Sequence, residues 1–158
     1  MPLVYANLDD ATRSRMLEEI NLYIAAGRLY LSGWLTPAGQ AAYSDFLRRA
    51  AEWHDDGWLA AEILTGGWLA ADAEAEAAQM LAEGEFNRFY MRARCRRAID
   101  EGKKLEVYRA KSPETPRAGL ESHVGQVVEP EDLLGRPREG GRSSPLLKPG
   151  AGLSVRPA

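Results

Sequence analysis

The chain has 158 residues, with 20 Lys and Arg against 23 Asp and Glu, for a formal net charge of −3. That length is one domain's worth of chain, and the net acidity argues against a general nucleic-acid binder. The single cysteine, Cys95, excludes an intrachain disulfide, and no run of about 18 apolar residues exists to span a membrane. Met1-Pro2-Leu3-Val4-Tyr5 lacks the basic start and long apolar run of a signal peptide, so cytoplasmic synthesis is the default expectation.

Composition divides the chain into a body, residues 1–110, and an arm, residues 111–158. The body carries 13 Lys/Arg against 17 Asp/Glu, so it is near −4 and the arm near +1. The arm holds seven of the nine prolines, and no aromatic residue follows Tyr108. An acidic body with one basic segment inside it suits protein–protein complementarity.

Four helices are predicted in the body. The first runs from about Asp9 to Ala26, capped by Asp9 and Asp10 and stopped at Gly27. Met16, Leu17, Ile20 and Ile24 supply its apolar face. Leu29 to Leu35 reads as an extended connector. Thr36-Pro37 starts the second helix, with Thr as cap and Pro in the first turn. It continues to about Trp53, burying Ala42, Phe46, Ala50 and Trp53 with Tyr43 and Leu47 flanking. His54-Asp55-Asp56 opens a shorter helix from Gly57 to about Leu64. The hexamer Gly57-Trp58-Leu59-Ala60-Ala61-Glu62 nearly recurs as Gly67-Trp68-Leu69-Ala70-Ala71-Asp72, which is far short of a repeat architecture. A long helix then runs from about Asp72, its expected cap, to Glu101. Gly84 is a soft spot within it, and Gly102 stops it.

Leu105 to Arg109 alternates apolar and polar residues, the period of a half-buried strand. Its expected partner is Leu29–Leu31 or a strand of another subunit. The arm is too polar to fold alone. It carries spaced apolar anchors at Val124, Val127-Val128, Leu133-Leu134, Leu146-Leu147, Leu153 and Val155, and Pro130 to Gly135 suits one helical turn. Spaced anchors on an extended chain suit an arm that lies along a partner.

The segment Phe86 to Arg97 is the most unusual stretch. It holds five arginines, three aromatic rings and no acid. Apolar residues fall on more than one side, which requires neighbours on more than one side. Arg88, Arg92 and Arg96, spaced i, i+4, i+8, are able to track phosphates with Phe89 or Tyr90 stacking on bases. The favoured reading is a protein interface, in which the arginines pair with a neighbour's carboxylates around aromatic anchors. The candidate interface residues are Phe86, Arg88, Phe89, Tyr90, Arg92, Arg94, Arg96 and Arg97, with Leu133, Leu134 and Leu153 of the arm.

Catalytic chemistry finds little support. His54-Asp55 resembles the His-Asp pair of metal-dependent phosphohydrolases, but only His123 remains as a further histidine. No metal or cofactor is expected. Neither a nucleophile elbow nor a phosphate-cradling loop occurs. Cys95 reads as a small buried apolar residue rather than a reactive thiolate.

The expected fold is all-α: a small bundle of about four helices with a long central helix, one short strand and an extended C-terminal arm. That layout, with helices over 9–101, a strand at 105–109 and an arm from 111, resembles the small helical head–tail adaptor (connector) proteins of tailed phages and prophages. The stretch Leu81 to Tyr90 is also similar to small bacterial and prophage proteins without an established activity. The resemblance implies a non-enzymatic virion component, a homo-oligomer or a ring on a portal-like partner, with extended termini embracing neighbours. It carries over no functional residue. The other readings are a nucleic-acid-associated accessory protein and a small regulator that inhibits a partner enzyme.

Overall fold

A computed structural model describes residues 3–110, 124–138 and 153–158. Their order is α1 (Asp10–Ala25), α2 (Pro37–Trp53), α3 (Asp56–Thr65), α4 (Glu76–Glu101), β1 (Leu105–Arg109), β2 (Val127–Val128), α5 (Pro130–Arg138) and β3 (Leu153–Pro157). Helix dominates, as the sequence predicts, but the described residues also form a three-stranded antiparallel sheet in the order β2-β1-β3. The expected all-α class therefore holds only in part: the body is mostly helical, and the small sheet is added to it. His123 and the Leu146-Leu147 anchor lie outside the described residues.

The helix starts follow local chemistry. Asp9 caps α1 by accepting from the Thr12 amide at 2.9 Å, Thr36 caps α2 through the Gly39 amide at 3.0 Å, and Asp55 caps α3 through the Trp58 amide at 2.9 Å. Each side-chain oxygen satisfies an N–H that the helix itself leaves unpaired. Gly27 and Gly102 follow α1 and α4 at φ of 67° and 65°, a left-handed conformation that a side chain disfavours.

Two boundaries differ from expectation. α4 begins at Glu76, not Asp72, and no side chain caps it. The preceding segment is held extended instead: Thr36 donates its N–H to the Trp68 carbonyl at 2.8 Å, and Ala70 donates to Trp34 at 2.7 Å. Leu35 and Leu69 thereby form an isolated bridge. α2 is rotated by about one residue from the predicted phase. Gly39, Tyr43, Leu47, Ala50 and Ala51 are its buried residues, while Trp53 is 70 % exposed.

α4 is the axis of the molecule. It packs against α1, α2, α3, α5 and β3, and it runs unbroken through Gly84. Phe86, Phe89 and Tyr90 are fully buried among Met16 and Ile20 of α1, Leu47 of α2 and Leu59 and Ile63 of α3. A helix wrapped on most sides has no room for a polar stripe, which explains why its apolar residues follow no single face.

The partner of β1 is not Leu29–Leu31. Leu31 is exposed, and β1 pairs instead with β3, Val107 opposite Val155, and with the short β2. Two segments of the arm therefore flank a strand of the body. Asn87 of α4 seals the arrangement from the helix side. Its amide donates to the Leu153 carbonyl at 2.8 Å, and its carbonyl accepts from Ser154 Oγ at 2.6 Å.

The N-terminal residues form a strap across α3, α4 and β1. Val4 donates its N–H to the Ala110 carbonyl at 2.8 Å, Ala6 to Tyr108 Oη at 3.0 Å and Asn7 to Tyr90 Oη at 3.2 Å. Tyr108 Oη in turn donates to the Val4 carbonyl at 2.6 Å. Tyr5 packs its ring on Phe86 and Tyr90, with centroids 5.0 and 4.8 Å away.

Candidate functional site

The arginines of α4 are occupied within the chain. Arg92 and Glu19 of α1 are both 1 % exposed and meet at 2.8 Å through Nη2, with Nε donating to the same carboxylate oxygen at 2.9 Å. The remaining Nη1 donates to the Leu134 carbonyl of α5 at 3.1 Å. The guanidinium also lies over the Tyr23 ring, 5.2 Å from its centroid. Arg96 pairs with Glu18 at 3.0 Å. Arg97 grips both oxygens of Asp9, at 2.8 and 2.9 Å, and reaches Glu101 at 3.1 Å. Arg94 is buried and donates to Thr12 Oγ1 at 3.3 Å, and burial pulls its guanidinium below its ordinary value. Arg88 stands 3.8 Å from Glu85, whose carboxyl burial pushes up. The basic half of α4 thus finds its acids on α1 and on α4 itself.

This placement changes the meaning of the predicted interface. Phe86, Phe89, Tyr90, Arg92 and Arg94 are core residues, as are Leu133 and Leu153 of the arm, and Leu134 is half-buried beside them. Arg88, Arg96 and Arg97 are partly exposed, each already facing a carboxylate. Desolvation explains the outcome: once α1 supplies a carboxylate, a buried guanidinium is neutralised and its helix free to sit in the core.

Cys95 is fully buried and its thiol is pushed up to about 12 by burial, despite Arg92 and Arg94 nearby. We expect no reaction with a thiol-specific reagent at pH 7.5 in the folded protein and complete reaction in denaturant. Rapid labelling without denaturant would show that α4 opens in the native state.

The surface offers a different site. A cavity of about 380 Å³ opens between the N-terminal strap and the α2–α3 junction. Leu3, Tyr5 and Leu8 form one wall; Trp53, His54, Asp55 and Trp58 form the other. The rings of His54 and Trp58 stack with centroids 4.2 Å apart and planes within 8°. Arg13 of α1 also lines the cavity. Its Nη1 donates to the carbonyls of Ala50, Ala51 and His54, at 3.3, 3.0 and 2.8 Å. These carbonyls lie at the C-terminal end of α2, where a cation complements the helix dipole, and the Ala50 carbonyl also accepts the His54 N–H at 2.9 Å.

Behind this wall sits a buried acid. Asp56 Oδ2 accepts from the Leu3 amide at 3.1 Å and from Gln79 Nε2 at 3.2 Å, and Gln79 also bonds Glu83 at 2.9 Å. Burial pushes the Asp56 carboxyl up to about 6, with Glu83 and Asp55 adding to the rise. Sequence reasoning missed this cavity. The available signal was a cluster of two tryptophans, a histidine and two acids at a helix junction, but nothing local shows that the strap crosses there.

Among the described residues no group of three or more His, Cys, Asp or Glu is arranged to hold a metal ion. No described helix is long and apolar enough to cross a membrane. No family model, curated protein or solved structure matches the chain.

Proposed function

We propose that this chain is a non-enzymatic assembly protein that works by binding other protein subunits, a role of the kind held by the phage head–tail adaptors its layout resembles. The observation that carries the reading is Trp53. This large ring is 70 % exposed at the mouth of an aromatic cavity, on a helix that buries Tyr43 and Leu47 on its other side. Exposed tryptophans beside preformed pockets are the usual anchors of protein interfaces. The binding surface in this reading is the α2–α3 junction with the strap, and the arginines of α4 serve to hold the helices together. A nucleic-acid role is not retained, because four of the five arginines already face carboxylates in contact.

Light scattering on the purified full chain tests this. We expect a mass that rises with concentration above the 17.4 kDa of the monomer, and a Trp53→Glu variant that stays monomeric with unchanged helical content. A wild-type chain that remains monomeric at every concentration would remove self-assembly from the proposal.

A further inference from the structure

The walls of the cavity are aromatic, and the charges around it are mostly negative. Tyr5, Trp53 and Trp58 present three ring systems to one space. Trp53 has no ring partner among the described residues and is largely exposed. Asp55 stands in the wall itself, and Asp10 lies close enough to act on Arg13. Asp56 and Glu83 lie behind Tyr5. Burial raises the Tyr5 phenol well above its ordinary value, and Asp56, Glu83 and Asp55 raise it further. Arg13, the one arginine or lysine among the described residues that line the wall, has its Nη1 held by three carbonyls at the C-terminal end of α2. Aromatic faces in a negative field attract a cation through the ring quadrupole, and a planar guanidinium stacks on them better than an ammonium. The chain already uses this contact internally, with Arg156 over Tyr108 at 5.5 Å as well as Arg92 over Tyr23.

We infer that the cavity between the strap and the α2–α3 junction receives an arginine side chain of a partner protein, stacked on Trp53 with Asp55 and Asp10 supplying the countercharge. The inference rests on the assembly reading and deepens it by naming the chemistry of the partner. Arginine alone gives both the stacking plane and the charge that this wall complements.

The test uses the full chain and three blocked tripeptides: Gly-Arg-Gly, its neutral citrulline isostere and Gly-Glu-Gly. Binding is read from the indole N–H resonances of the four tryptophans. The arginine peptide is expected to shift Trp53 and Trp58 saturably while leaving Trp34 and Trp68 in place. The citrulline peptide should bind about tenfold more weakly or not at all, since removing the charge removes the cation–π attraction. Trp53→Ala and Asp10→Asn should each weaken the arginine peptide, and added salt should weaken it further. Both positions are exposed, so neither change disturbs the core. Equal binding of the citrulline or glutamate peptide, no saturable shift, or shifts confined to Trp34 and Trp68 would each overturn the inference. If the chain self-associates through Trp53 yet ignores the arginine peptide, the assembly reading stands and the arginine reading falls. If the peptide binds to a chain that stays monomeric, the arginine reading stands without self-assembly.

Discussion

Replacing Glu19 by alanine is expected to destabilise the protein by about 3–5 kcal/mol, the cost of leaving a buried cation without its partner. Glu19 and Arg92 are each 1 % exposed, so water cannot take the carboxylate's place. The Leu134 carbonyl would be the remaining acceptor for Arg92 among those the structure gives it. Attachment of α5 should weaken as well, because the same guanidinium bridges α1 to α5. Urea unfolding followed by circular dichroism measures the loss. The double variant Glu19→Leu with Arg92→Met should recover most of it, because an apolar pair of similar size carries no desolvation penalty. A single-variant loss under about 1 kcal/mol would mean that the pair is solvated and behaves like a surface bridge.

Asp56→Asn is expected to act in the opposite direction, and only at neutral pH. The carboxyl has an ordinary value of 3.8 and is pushed up to about 6 in the fold, first by burial and then by Glu83 and Asp55. A raised acid makes the fold weaker when it ionises. Its full benefit is present below about pH 4, declines between pH 4 and 6, and is gone above that range. The difference corresponds to about 3 kcal/mol at pH 7.5. Asparagine removes the charge while its carbonyl oxygen still accepts from Leu3 and Gln79. The variant should therefore gain about 2–3 kcal/mol at pH 7.5 and almost nothing at pH 4. A gain of equal size at both pH values would show that charge is not the cause. A loss at pH 7.5 would show that the carboxylate has a compensating partner.

The near-repeated hexamer marks how far local sequence carries. Gly57 to Glu62 lies within helix α3 behind the Asp55 cap. In its twin, Gly67 to Asp72, the middle residues Trp68 to Ala70 are extended between turns, because Trp68 and Ala70 exchange backbone hydrogen bonds with Thr36 and Trp34. Similar residues thus take different structures, and tertiary pairing decides which. The starts of α1, α2 and α3 were legible because Asp9, Thr36 and Asp55 act on amides three residues away, whereas α4, which no side chain caps, starts four residues later than expected. The sheet was not, since Val107 meets Val155 only through the fold and β2 is two residues long. The arginines mislead for the same reason. Nothing near Arg92 announces that Glu19, 73 residues earlier, will neutralise it. The same limit hides the cavity, whose walls come from Leu3 and Trp58 alike.

Both neighbours of β1 come later in the chain than β1 itself. During synthesis Leu105 to Arg109 emerges with two unpaired edges, and β3 follows only at Leu153. At typical translation rates that interval is about 2–10 s, long compared with the microseconds in which helices form. Through that window an apolar strand with open edges stands beside a largely formed helical body, the arrangement most prone to wrong pairing with another nascent chain. The charges interleaved within β1, Glu106 and Arg109, oppose such pairing. Yield at high expression should therefore be governed by the speed at which the arm arrives, and not by the stability of the finished helices.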